Sequence, residues 1–521
     1  MAQEISQHRD ILHLIAQLLE VRDCLTCLRV SKTFQSVFET RVWEVVDVDR
    51  LKQYYWVSPT SEIFERHAHL IRELELGTRV RFNFDDTIGP KELLRQPVLR
   101  ASFVPAPVGH ALRCLQRSIF RFLWSGPGLL RSIYIKSYSI PRSWITALLR
   151  CENLQELTLR GMDVPEEDVH LFLELCSRPR RLDLSCVNLH ALPLPGTLKS
   201  SFSNVHHLRI GPAGMSGEEN VEQLIVRYFV HLRCLEYNDP DIYSPESGMI
   251  EKRHIEKLLL DIPKFTQLNS LDVTHLLMDD NDLGPILENL NGLRVLEMGL
   301  GECGVRCMTA LTSTRERNGS VWRLCDKLET LNLSCVEIST AWFSPIMEHS
   351  PLLRIFKTAV VHTSDILAGG LWVCVNLTEL DITVEADIDP SSEQGNGQLA
   401  TTISKISQLK ELTCLTIEGR TGRSANMALN LDTLRFPSLL PLRNLRNLEN
   451  LKIESVWESL NHTNDDFTEA VRSWEKLCIL RWVRKYRVPP GCFERVGVNL
   501  PQSAIDILKL RKVQRHDDYF W

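Results

Sequence analysis

The side chains able to do chemistry in this sequence are few and poorly placed for it. Cys24 and Cys27 form a C-x-x-C, half of a structural zinc framework, but no second pair and no histidine stands at the spacing that would complete it. Both also fall inside a helical pattern, so no metal is expected there. His206 and His207 are adjacent. Neighbouring residues of a strand point to opposite faces, so these two cannot hold one ion from one side, and one is expected in the core and the other in water. There is no phosphate-cradling glycine loop, no H-E-x-x-H and no nucleophile elbow. No enzymatic activity and no cofactor are expected.

Composition narrows the classes further. The chain has 521 residues, 44% hydrophobic and 24% charged, with a net charge of -6. It carries no global basic field for nucleic acid or anionic lipid. No apolar run approaches the roughly 20 residues of a membrane span. The apolar run Ile11 to Leu19 is broken by His13 and Gln17 and is followed by no small-residue cleavage site, so no signal peptide is expected. The 15 cysteines are scattered singly, as thiols are in a reducing compartment, and a cytoplasmic or nuclear location follows. The N-x-S/T sequons at Asn318, Asn332, Asn376 and Asn461 are read as accidental.

The elements that would position any functional residue are written into a recurring unit, cleanest at Leu328 to Ile338, which reads L-x-x-L-x-L-x-x-C-x-I. Apolar residues recur at its first, fourth and sixth positions from Ile71-Leu74-Leu76, through Leu154-Leu157-Leu159, Leu268-Leu271-Val273 and Leu293-Leu296-Met298, to Leu477-Leu480-Trp482. A degenerate copy is read as Leu352-Ile355-Lys357. Successive copies lie roughly 24 to 35 residues apart, and helical periodicity fills the gaps, as in 166–176, 281–290 and 341–349. The pattern is that of leucine-rich repeats, and Cys186 and Cys335 just past two of the strands resemble the cysteine-containing subtype. The expected fold is α/β: a solenoid over 55–500, a curved parallel sheet with outer helices, with loop insertions near 80–110, 385–400 and 418–430. A C-terminal helix is expected to cap it over 501–521.

In each unit the residue between the fourth and sixth positions must face away from the core. That column includes Glu236, Asp272, Glu297, Asn332, Phe356 and Asp381. Its middle is acidic, and stacking would hold Glu236, Asp272 and Glu297 within about 5 Å of one another, where like charges repel unless a cation covers them. Two readings stand: a concave face that holds a basic segment of a client protein, and a solvated sheet face whose charges serve solubility.

The first 48 residues read as three short amphipathic helices. Ile11, Leu12, Ile15, Leu18 and Leu19 lie at helical spacing, Asp23 is placed to cap a second helix, and Ser31 a third reaching about Glu39. Ile11, Leu12, Ile15, Leu19, Asp23, Val30, Lys32 and Trp43 match the pattern of the F-box, with Phe34 where that pattern has Trp. The segment therefore resembles a fungal-type F-box-like module, and the whole chain an F-box protein with leucine-rich repeats. Gln7 and His8 replace the leading Leu-Pro of the pattern. The resemblance implies docking of a Skp-type adaptor, and through it a cullin, by Ile11, Leu12, Ile15, Leu19, Val30, Lys32 and Phe34. It implies a substrate-recognition subunit of an SCF-type ubiquitin ligase that holds a client for others to modify. The alternative is a ligase-independent repeat scaffold whose N-terminal helices only cap the array.

Overall fold

A computed structural model describes residues 2–47, 61–76, 118–137, 139–191, 202–211, 228–229, 231–237, 265–317, 320–334, 336–338, 342–387, 392–421, 440–454, 464–483 and 514–515. They belong to two compact units, Met1–Ser247 and Gly248–Trp521. Each is α/β, a mostly parallel sheet flanked by helices, consistent with a solenoid-like repeat fold.

The first unit begins with helices α1 (Ala2–Leu18), α2 (Val21–Cys27) and α3 (Lys32–Glu44). Ser31 caps α3 as expected, its Oγ accepting from the Phe34 N–H at 3.3 Å. Asp23 does not cap α2. Glu20 holds that position without a side-chain cap bond, and Asp23 sits in the first turn, where a negative charge still suits the positive end of the helix. Ala16, Cys24, Val37 and Phe38 form a small core wrapped by Leu12, Leu19, Cys27, Leu28, Phe34 and Val42.

Helix α3 runs directly into a strand, β1 (Val45–Asp47), that pairs in parallel with β2 (Glu73–Leu76) and so ties the helical module to the sheet. The ladder continues through β3 (Ser132–Lys136), β4 (Glu156–Arg160), β5 (Arg181–Ser185), β6 (His207–Gly211) and β7 (Cys234–Tyr237). Its register aligns Val46, Leu74, Ile133, Leu157, Leu182, Leu208 and Leu235, one apolar residue per strand and all buried.

The second unit repeats the arrangement with β8 (Ser270–Met278), β9 (Val295–Cys303), β10 (Thr330–Leu333), β11 (Ile355–His362), β12 (Glu379–Ala386), β13 (Cys414–Thr421), β14 (Asn450–Glu454) and β15 (Ile479–Val483). Leu271, Leu296, Leu331, Phe356, Leu380, Leu415, Leu451 and Leu480 form its buried row. Gln514–Arg515 adds a two-residue parallel strand against Ile479 and Leu480; the rest of 501–521 lies outside the described residues.

A backbone device fixes where each strand begins. Two successive N–H groups donate to one carbonyl at the start of the preceding strand: Gln155 and Glu156 to Arg131, Thr378 and Glu379 to Arg354, Cys478 and Ile479 to Glu449. Repeating this fork down the ladder holds every strand in one register, so one side-chain position stacks on its equivalent throughout.

Two expectations about loops need correction. The described part of 385–400 is mostly regular: Glu385 and Ala386 end β12, and a helix spans Glu393–Ile406, with the Ser392 side chain accepting from the Gly395 N–H at 3.0 Å; residues 388–391 lie outside the described residues. The cap and the apolar stripe Leu399, Ile403 and Ile406 outweigh the poor helix propensity of Gly395 and Gly397. Residues 418–421 belong to β13, because the ladder against β12 runs to Thr421. The insertion near 80–110, the remainder of 418–430 and Cys335 lie outside the described residues. The expected inter-strand helices are present at Val169–Cys176, Asp280–Asn289 and Phe343–His349.

Candidate interaction surface

Because side chains alternate along a strand, the residue after each buried leucine turns to the opposite face. In the first unit the register lines up Asp47, Glu75, Tyr134, Thr158, Asp183, Arg209 and Glu236. Its end is an ion network. Arg160 donates to Asp183 Oδ2 through Nε at 3.2 Å and Nη2 at 2.6 Å, Arg209 Nη1 lies 3.9 Å from the same oxygen, and Arg209 Nε donates to Glu236 Oε2 at 2.7 Å.

Glu236 is therefore not an uncovered charge of an acidic patch. His207 Nε2 stands 2.9 Å from its Oε1. The hydrogen bond from His207 leads in lowering the Glu236 pKa to about 2, against the opposing effect of burial, with the charges of His207 and Arg209 adding to it. Burial alone would lower the His207 pKa; contacts with Cys234 and Glu236 outweigh it and raise it to about 9. Neither His206 nor His207 enters the core. Both are half-buried, because Val205 and Leu208 take the inward positions.

In the second unit the column reads Asp272, Glu297, Asn332, Lys357, Asp381, Thr416 and Lys452. Asp272 and Glu297 are register partners, as expected. Phe356 is not in the column. It is fully buried and stacks on Phe343, ring centroids 5.5 Å apart, while Leu353 takes the inward position before it and Leu352 is 49% exposed. The doublet Leu352-Leu353 permits two frames, and a one-residue slip exchanges the faces of every side chain in the strand. Lys357 is the outward residue, its Nζ 2.7 Å from Glu379 Oε1.

Several column residues also bond the chain two residues further along their own strands. Asp183 Oδ1 accepts from the N–H and Oγ of Ser185 at 3.1 and 2.6 Å, and Asp272 Oδ1 accepts from the N–H and Oγ1 of Thr274 at 3.0 and 2.7 Å. Asn332 Oδ1 accepts from the Ser334 N–H at 3.2 Å, while its Nδ2 donates to Glu297 Oε2 at 3.1 Å. Short oxygen-bearing side chains that bond the amide two residues on divert the backbone from the ladder: β5 ends at Ser185 and β10 at Leu333, while β8 shifts register after Val273 and continues to Met278. The signal for this was the recurrence of D-L-S, D-V-T and N-L-S at 183–185, 272–274 and 332–334.

The residues matched to the helical module separate into two groups. Leu12, Leu19 and Phe34 pack on its core, and Phe34 stacks on Phe38 at 5.5 Å. Ile11 (53%), Ile15 (40%) and Val30 (63%) are exposed, as is Lys32. They are joined on the surface by Leu14 (60%), Leu18 (86%) and Val21 (44%). Helix α1 thus carries apolar side chains on its outer as well as its inner side. Trp43 stacks on His67 at 4.6 Å, and His67 Nε2 lies 2.7 Å from Glu39 Oε1.

No family model matches the chain. No curated protein matches it either. Among solved structures, an internalin from Listeria monocytogenes is similar at 15% identity, over 64% of this chain and 88% of that one, with a TM-score of 0.31. The leucine-rich-repeat ectodomain of the Arabidopsis receptor kinase HAESA, solved with a peptide hormone ligand, is similar at 12% identity, over 70% of this chain, with a TM-score of 0.33. This chain spans 59% of that ectodomain. Both are distant and partial likenesses to repeat proteins.

Proposed function

We propose that this chain is a non-enzymatic interaction protein that binds a protein partner on the outward column of its repeat sheet. The observation that carries this reading is the column of the second unit, where the ladder delivers one half-exposed side chain per strand from Asp272 to Lys452 in unbroken register. Its charge changes along the way, from the paired acids Asp272 and Glu297, through Lys357 between Glu379 and Asp381, to Lys452. A partner that is basic opposite the first strands and acidic opposite the last fits that order, since charge complementarity selects orientation more than it adds affinity. The test compares proteins co-purified by the wild-type chain with those held by the Asp272→Lys/Glu297→Lys variant. Partners lost with the column charges support the reading; an unchanged set contradicts it.

A second reading adds a docking function to the helical module, and the exposed row Ile11, Leu14, Ile15, Leu18 favours it. Helices that merely cap an array need a polar outer face, and contiguous exposed apolar residues mark a binding surface. Together with the F-box resemblance, this supports recognition of a Skp-type adaptor, with the repeat column holding the client of an SCF-type ligase in the cytoplasm or nucleus. Direct binding of a purified Skp-type adaptor to the full chain separates the two readings.

A further inference from the structure

The last two described strands of the first unit bring His207 together with Cys234 and Glu236, side chains of metal-binding chemistry that lie 27 residues and more beyond it in sequence. His207 begins β6 and Cys234 is its register partner on β7. Glu236 follows two residues later, hence on the same face. The ligand atoms make a triangle: His207 Nε2 to Glu236 Oε1 2.9 Å, Cys234 Sγ to His207 Nε2 4.0 Å, and Cys234 Sγ to Glu236 Oε1 3.8 Å. Zinc bonds of about 2.0 Å to oxygen and nitrogen and about 2.3 Å to sulfur, at the tetrahedral angle, require ligand separations of about 3.3 to 3.6 Å. Each side of the triangle is within about 0.5 Å of that requirement, a shift that side-chain rotation supplies.

We propose that His207 Nε2, Cys234 Sγ and Glu236 Oε1 form a three-ligand site for a divalent cation of the zinc class. One thiolate and one imidazole make the donor set borderline-soft, which favours zinc over magnesium or calcium. The His207 and Glu236 side chains keep 23% and 19% of their surface exposed, so a fourth position faces solvent. Arg209 helps rather than blocks. It holds Glu236 Oε2 at 2.7 Å, fixing the carboxylate with Oε1 turned to the triangle, and its own charge is shared with Asp183. Charge balances on uptake: the ion brings two positive charges, and two protons leave, one from the Cys234 thiol and one from His207 Nε2.

The test uses the metal-free full-length chain and Zn²⁺ or Co²⁺ alone. One equivalent is expected to bind, with a thiolate-to-cobalt charge-transfer band that Cys234→Ser abolishes. Glu236→Gln, which replaces a charged ligand, is expected to weaken affinity by at least the roughly 10- to 100-fold that loss of an outer-shell partner costs, and Cys478→Ser, which removes an exposed thiol elsewhere, to leave both unchanged. Alkylation of the wild-type chain, followed peptide by peptide, reads the same site without a variant: Zn²⁺ should slow modification of Cys234 and spare that of Cys478. Equal cobalt spectra for the wild type and Cys234→Ser, no stoichiometric uptake, or an unprotected Cys234 would overturn the proposal.

Discussion

Phe356 lies against Phe343 with ring centroids 5.5 Å and planes 21° apart, while Lys357, the next residue, points the other way to bond Glu379. That single step in the chain separates core from surface in β11. Phe356→Ala should therefore cost about 3 to 5 kcal/mol of stability through the cavity it opens. Lys357→Ala should cost under about 1 kcal/mol, as half-exposed ion pairs do. Denaturant unfolding of the two variants checks the frame, and the reverse order of costs would restore the frame read from Leu352.

Close approach of two strands gives a second prediction. A β-carbon on Gly299 would run into the carbonyl oxygen of Thr274, a backbone atom that cannot swing aside. Gly299→Ala should destabilise the second unit by about 1 to 3 kcal/mol, in contrast to the usual gain from replacing glycine. A thermal melt at or above that of the wild type would show that β8 and β9 are not so close.

Asp280 gives a pH dependence. Its Oδ1 accepts from the N–H groups of Gly304 and Cys307 at 2.9 and 2.8 Å, and its Oδ2 from that of Arg306 at 2.9 Å, so a carboxylate from one repeat caps the helix Val305–Thr312 of the next. Burial alone would raise its pKa; the backbone donors outweigh this and hold it below the usual carboxylate value. A depressed folded-state value means the contribution is fully present above about pH 4 and fades as pH falls through the folded value. Asp280→Asn keeps one acceptor of the two and loses the charge, so it should cost about 1 kcal/mol near neutral pH and less in acid. A cost that did not shrink with falling pH would contradict the charged cap.

Leu14 and Leu18 test the helical module without disturbing its core. They are 60% and 86% exposed, so Leu14→Glu/Leu18→Glu should change stability by no more than about 0.5 kcal/mol. Adaptor binding, measured by calorimetry with a purified Skp-type protein, should fall at least tenfold in the variant. Equal affinity for the two chains would leave the module as a cap.

How much of this could be read from the residues depended on how different the two faces of each element are. At Thr330 to Leu333 polar and apolar positions alternate, and core and column are legible at once. At Leu352-Leu353 both are apolar and the frame is ambiguous until packing chooses. The helix Glu393–Ile406 was hidden by two glycines in its first turns, and β1 by a Val-Val pair that continues an amphipathic helix. Charge compensation in the column was illegible for another reason: Arg209 meets Glu236 27 residues away, and local spacing carries no trace of it. The same separation conceals the pairing of His207 with Cys234.

The most direct measurement of partner binding on the outward column places a photo-crosslinking amino acid at position 357, and in a second chain at position 288 on the helix Asp280–Asn289. Irradiation in cell extract, followed by mass spectrometry of the adducts, should yield a defined protein partner joined through position 357 and absent at 288. The same adducts at both positions, or none at 357, would contradict binding on that column.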